Sequence, residues 1–304
     1  MKRSLFYKIM FMSAMAVFGT IGIFVKNVNV SSGELALYRA LMAIVLIGSF
    51  MLATHRRIAL REIKGQLPLL LLSGAAMGFN WILLFEAYKY TTVSVATLSY
   101  YFAPVLVTVA APLIFKEKMG ARQWVCFGMS TLGIILITGI GDLSAGKNHL
   151  LGIGFGLGAA VLYATVMLLN KSTKGVEGIS RTFLQFIAAI AVLIPYVALT
   201  SGVTLGGLRL GGWVCLLTVG IIHTGVTYCL YFSSMKELPA KEAALLSYID
   251  PLVAVLCSVL ILREPLSTMQ GIGGALILGF TLYNELAPAL HKKNDTENEE
   301  KPQK

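Results

Sequence analysis

Asp250 stands directly before Pro251 in the middle of an apolar run from about 239 to 262. A carboxylate is costly in such surroundings, which makes it a candidate for chemistry. The proline removes a backbone donor, leaves the carbonyl of residue 247 without its helical partner and can kink the helix. A carboxylate beside a kink can bind and release a proton as its hydration changes. The alternative is a hydrogen-bonded aspartate that only steadies the kink. His223, midway along the run 210–232, offers either a proton relay or a packed, hydrogen-bonded core residue. Arg39 and Glu86 share one depth near the ends of their runs, which predicts an ion pair. That pair is either structural, or an outer gate, or a seat for a zwitterion, since guanidinium suits a carboxylate.

Aromatic and hydroxyl side chains gather in the same runs. Asn80, Trp81, Tyr100, Tyr101, Tyr228, Ser247 and Tyr248 would give a cavity with aromatic walls and a few polar groups. Such a cavity suits a small amphipathic ligand. Tyr231, closer to the end of its run, reads as an interface anchor.

Two other motifs are weighed against this reading. Gly141-Asp142-Leu143-Ser144-Ala145-Gly146-Lys147-Asn148 nearly spells a phosphate-binding loop. Asn148 replaces the Ser or Thr that holds magnesium, and no βαβ pattern surrounds it. That argues against ATP-driven work by this chain alone. Gly139-Ile140-Gly141-Asp142 matches the GxGD pattern of intramembrane aspartyl proteases, and Pro288-Ala289-Leu290 echoes their later motif. That chemistry needs two carboxylates sharing a site. No Tyr-Asp partner precedes Asp142, which falls at the end of a run where water keeps it ionised. Cys126, Cys215, Cys229 and Cys257 all lie inside apolar runs, match no metal spacing and read as buried small hydrophobes. No catalytic residue, metal or cofactor is expected, and no enzyme.

The elements that must position these residues follow from composition. Of 304 residues, 56% are hydrophobic and 13% charged, about half the charged share of a soluble domain. Apolar runs fall near 5–25, 34–53, 67–87, 91–114, 121–140, 150–170, 180–200, 210–232, 239–262 and 268–287. Each is long enough to cross about 30 Å of hydrocarbon. Each must be helical, because lipid offers no partner to a free backbone group. With the N-terminus inside, 19 Lys and Arg fall on that side and 5 on the other, with Arg39 inside a run. The positive-inside rule then predicts ten helices with both termini cytoplasmic. The net charge of +10 belongs to these orienting loops and does not indicate nucleic acid. Residues 288–304 read as a charged, disordered cytoplasmic tail.

A repeat divides the chain. Residues 85–123 align without a gap on 232–270, at an offset of 147, with ten of 39 positions identical. The matches include Phe85/Phe232, Lys89/Lys236, Tyr101/Tyr248, Pro104/Pro251, Glu117/Glu264 and Gln123/Gln270. Weaker similarity pairs Phe18-Gly19 with Tyr163-Ala164 and Lys26 with Lys171. Five helices is an odd number, so the second copy enters the membrane from the opposite side. The expected architecture is all-α and membrane-integral, with ten transmembrane helices in two inverted repeats, at 5–140 and 150–287. Inverted repeats of this kind recur in secondary transporters.

These features resemble the drug/metabolite transporter superfamily, in its EamA-type branch. The resemblance covers about residues 8–287. It rests on the aromatic-small pair in the first helix of each half and on the mid-helix Pro104 and Pro251. It also rests on Leu113-Ile114-Phe115-Lys116-Glu117-Lys118 and Leu260-Ile261-Leu262-Arg263-Glu264-Pro265, and on Leu246-Ser247-Tyr248-Ile249-Asp250-Pro251, where a Glu is more usual than Asp250. It implies a central cavity lined largely by the third, fourth, eighth and ninth helices. It also implies export of an amino acid or similar small metabolite across the plasma membrane by alternating access, through uniport or proton antiport. A passive channel or a lipid scramblase is the other class. The expected partners are a small-molecule substrate and the bilayer, with the chain a monomer or homodimer.

Overall fold

The computed structural model describes residues 2–55, 58, 63–115, 119–138, 147–173, 175–176 and 178–299. The Gly139–Asp142 motif and Glu117 lie outside the described residues, as does the phosphate-loop-like segment through Gly146. Among the described residues all regular structure is helical.

Ten helical segments follow the ten apolar runs. Helix 1 is Lys2–Gly19 continued by Ile21–Val25, helix 2 is Ser32–Ala53 and helix 3 is Leu67–Tyr90. Helix 4 comes in two pieces, Val93–Tyr100 and Ala103–Phe115, and helix 5 is Ala121–Thr138. Helices 6 and 7 are Lys147–Ser172 and Gly178–Thr200. Helix 8 runs through Leu210–Leu217, Thr218–Val226 and Thr227–Met235. Helix 9 again comes in two pieces, Ala240–Ser247 and Ile249–Leu260, and helix 10 is Thr268–Glu299. Eight of these are apolar and long enough to cross a membrane, and a further apolar helix, Leu245–Leu260, is shorter. Helix 10 continues past the expected start of a disordered tail. After Pro288 the sequence holds Lys and Glu, good helix formers, and no Gly or Pro before Glu299.

Local sequence explains the starts and breaks. Ser31 caps helix 2 by accepting from the Glu34 amide, and Glu34 reaches back to the Ser31 amide; together they satisfy two orphan donors. Thr92 caps helix 4 through the Val95 amide. Pro104 and Pro251 fall in the first turn of the second pieces of helices 4 and 9. The missing proline donor is not needed there, so each helix is interrupted just before its proline.

Helices 2, 3, 7 and 8 enclose the main core, with Ile47, Phe85, Phe186 and Leu193 fully buried. The outer surface is apolar, as lipid requires: Leu52, Leu113, Leu199 and Leu210 are all strongly exposed. Helices 5 and 10, last in their repeats, cross at two glycines. A Cβ on Gly133 would lie 2.6 Å from the Gly273 carbonyl, and one on Gly273 would lie 2.5 Å from that of Gly133. Small residues let helices approach where lipid supplies no hydrophobic drive. Cys126 and Cys257 are buried as expected, whereas Cys215 and Cys229 are only partly so.

Candidate functional site

A cavity of about 490 Å³ opens between the repeats. It runs from Arg39 and Tyr88 to Gly178, Arg181 and Met235, which stand near the ends of helices 7 and 8 that share a face with the chain termini. Seven residues anticipated for a cavity, Asn80, Trp81, Tyr100, Tyr101, Tyr228, Ser247 and Tyr248, all line it, together with Asp250 and Pro104.

The breaks in helices 4 and 9 bring the repeats together at the cavity wall. Tyr101, at the break in helix 4, donates its hydroxyl to the Asp250 carboxylate at 2.6 Å. Asp250 lies in the first turn of the second piece of helix 9. Gly19, at the break in helix 1, leaves room for this turn, since a Cβ there would lie 2.5 Å from the Asp250 carbonyl oxygen. Tyr100 stacks on Tyr163 with ring centres 5.1 Å apart, and Tyr228 meets Phe18 and Phe186 edge to face. Asn80 is less free than expected: it is buried, and its amide donates to the Ala159 carbonyl of helix 6 at 2.6 Å.

Helix 8 changes winding at Thr218–Val226, which forms i to i+5 turns. Its hydroxyls follow that wider winding. Thr224 donates to the Val219 carbonyl at 2.8 Å and Thr227 to the Ile222 carbonyl at 2.7 Å. Such segments concentrate at functional sites. Here it sets Thr224 against Arg39, whose Nε donates to the threonine hydroxyl at 3.1 Å. The Arg39 guanidinium lies 4.5 Å from the Trp81 ring centre and 5.3 Å from that of Phe85.

Three expectations need correction. Arg39 and Glu86 do not pair: Glu86 bonds Lys89 one turn along helix 3 at 3.1 Å, while Arg39 turns inward under Trp81. Depth alone matched them, and the rotational setting of each helix separates them. His223 is buried off the cavity wall, against the Phe24 ring. Its Nε2 lies 2.9 Å from the Thr20 hydroxyl and its Nδ1 3.2 Å from the Thr218 carbonyl. The Thr20 hydroxyl also donates to the Val17 carbonyl at 2.8 Å, and with both ring nitrogens engaged His223 takes the packed reading. Tyr231 lines the cavity instead of facing an interface.

Sequence reasoning missed Tyr88, Tyr163, Gln185, Arg181 and Glu285, all on the cavity wall. Tyr163 was findable as the repeat counterpart of Phe18, which also lines the cavity. Glu285 was findable as an acid inside the last apolar run.

Residues 5–139 and 150–284 match the EamA-like transporter family. A relative in Bacillus subtilis (strain 168), "Uncharacterized transporter YxxF", is 32% identical over 244 residues, covering 80% of this chain and 77% of its own. An "Uncharacterized transporter" of Archaeoglobus fulgidus is 27% identical over 267 residues, covering 87% and 90%. A solved structure described only as a crystal structure of a protein aligns with a TM-score of 0.61 at 16% identity, over 90% of this chain and 95% of that one; it bears on the fold alone. Two matched repeats spanning nearly all of a ten-helix, lipid-faced fold place the chain as a multi-pass membrane transporter, and it belongs to the EamA-like transporter family.

Proposed function

We propose that the chain is a secondary carrier that exports an amino acid or similar small metabolite across the plasma membrane by alternating access, with both termini cytoplasmic. Asp250 is the group that binds the coupling proton. The observation that carries this reading is the cavity itself. It lies at the junction of two repeats, and about 490 Å³ falls within the range that holds small ligands. On its wall Tyr101 of helix 4 bonds Asp250 of the counterpart helix 9, so protonation and the relation of the repeats meet at this point. The cavity reaches one face, while the other is tied by Lys26 and Glu264. That asymmetry favours a carrier over an open channel.

The first test is a thermal-shift screen of purified protein against amino acids, nucleobases, sugar phosphates and cationic drugs. A ligand that binds only the folded state raises the melting temperature by mass action. Saturable stabilisation by one chemical class, followed by counterflow exchange of that class in liposomes, is the expected result. Conductance or lipid flipping without saturation would reject the carrier.

A further inference from the structure

Arg39 is a cation buried at the closed end of the cavity. Only 5% of it is exposed, and Thr224 engages just its Nε. A guanidinium carries five N–H donors, so most of its donor capacity is left for the cavity that it lines. Among the described residues no carboxylate stands within ion-pair distance of it. Glu86 bonds Lys89, Glu34 is held by Ser31 and Thr204, and Asp250 accepts from Tyr101. The rings of Trp81 and Phe85 partly offset the desolvation of the charge. They do not replace a counter-ion, and buried charges are ordinarily paired.

The wall beside Arg39 is aromatic, with Trp81 directly over the guanidinium. Tyr100 and Tyr228 line the same cavity as Arg39 and Asp250. Arg181, the other cation among the described lining residues, stands on helix 7 toward the terminus-bearing end and donates to the Asn170 and Val176 carbonyls. One guanidinium at the closed end balances the single charge of a carboxylate and leaves a phosphate, with about two charges, only part neutralised.

We propose that Arg39 is the anion anchor of this cavity, and that its substrates are small organic carboxylates with an apolar or aromatic body lying against Trp81, Tyr100 and Tyr228. The assignment rests on the cavity being the transport site. It narrows the metabolite class to compounds with a free carboxylate and gives helix 8's wide turn a purpose, since that turn presents Thr224 to the guanidinium.

The test uses the full-length protein in detergent and four related probes: L-phenylalanine, L-phenylalaninamide, 3-phenylpropanoate and phenethylamine. Thermal-shift titration is expected to show saturable binding of the two carboxylates and at least about tenfold weaker binding of the other two, because a charge-assisted bidentate contact is lost. Arg39→Gln is expected to erase the difference between phenylalanine and its amide, and Arg39→Lys to fall between. If Arg39→Gln does not fold, Thr224→Val carries the test, weakening the carboxylates several-fold more than the amide. Equal binding of acid and amide by the unaltered protein would overturn the anchor. If those ligands were nevertheless lost in Trp81→Ala, the cavity would remain the transport site and only the anchor would fall. No binding by any of the four would also overturn the anchor. Counterflow of another chemical class in liposomes would then still uphold the carrier.

Discussion

Lys26, just past helix 1, and Glu264, just past helix 9, form an ion pair that joins the two repeats on the face away from the chain termini. Glu264 also accepts the Val93 amide at 2.7 Å and the Ser258 hydroxyl, and Ser258 accepts the Ser94 amide at 3.1 Å. One nearly buried carboxylate therefore ties helices 1 and 4 of the first repeat to helix 9 of the second. Hydrogen bonds to an ionised acceptor are about twice as strong as neutral ones, so a single group can hold this face shut.

Glu264→Gln is expected to loosen that closure. A cysteine placed at Thr97, on the cavity wall, in a background without the four native cysteines, should react several-fold faster with a membrane-impermeant thiol reagent added from that face. Lys26→Glu combined with Glu264→Lys is expected to restore part of the protection. Equal labelling with and without Glu264→Gln would remove the pair from the closure.

Asp250→Asn keeps the shape of the side chain and its contact with Tyr101 but cannot take up a proton. A pH gradient is then expected to stop driving uptake into liposomes, while counterflow of labelled against unlabelled substrate continues. Tyr101→Phe deletes the 2.6 Å bond and leaves the carboxylate. It is expected to alter the pH profile of transport without abolishing the drive. An unchanged pH profile in Asp250→Asn would discard the coupling role. Loss of counterflow together with pH drive would instead make Asp250 part of substrate binding.

Helix positions were legible because lipid leaves a spanning backbone no other choice, and the apolar runs bound the helices to within a few residues except at the far end of helix 10, which continues to Glu299. The aligned Tyr101/Tyr248 and Pro104/Pro251 were legible as a repeat for the same reason that they interrupt their helices. What the sequence hid is rotation about each helix axis. Arg39 and Glu86 share a depth, but facing is decided by packing between helices, which no local pattern records. The wide turn at Thr218–Val226 was hidden too, since it shifts the facing of every later residue in helix 8. Tyr231 was therefore assigned to the wrong surroundings, and His223 was left open between a relay and a packed ring, of which Thr20 and Thr218 show the second.

The crossing of helices 5 and 10 offers a test with an internal control. Gly128 and Gly133 lie on the same helix, yet a Cβ on Gly128 meets nothing within 4 Å, whereas one on Gly133 meets the Gly273 backbone at 2.6 Å. Gly133→Ala must push two helices apart, and overpacking of this kind costs about 1–3 kcal/mol. A lowered melting temperature is expected for Gly133→Ala, and an unchanged or slightly raised one for Gly128→Ala, which gains helix propensity. Equal melting temperatures would place the two helices farther apart than described.

The separation of Arg39 from Glu86 makes an opposite forecast to the one their shared depth invites. Exchanging the charges, Arg39→Glu with Glu86→Arg, is expected not to restore function lost in Arg39→Glu. The double variant still leaves a carboxylate under Trp81 and strands Lys89 beside a second cation. Glu86→Gln alone removes a partly exposed pair, worth about 0–1 kcal/mol, and should leave both melting temperature and counterflow close to those of the unaltered protein. Arg39→Gln should depress counterflow severely while Glu86→Gln does not. Comparable losses in the two single variants, or recovery in the double, would return the two residues to one functional unit and argue for another conformation in which helices 2 and 3 turn them toward each other.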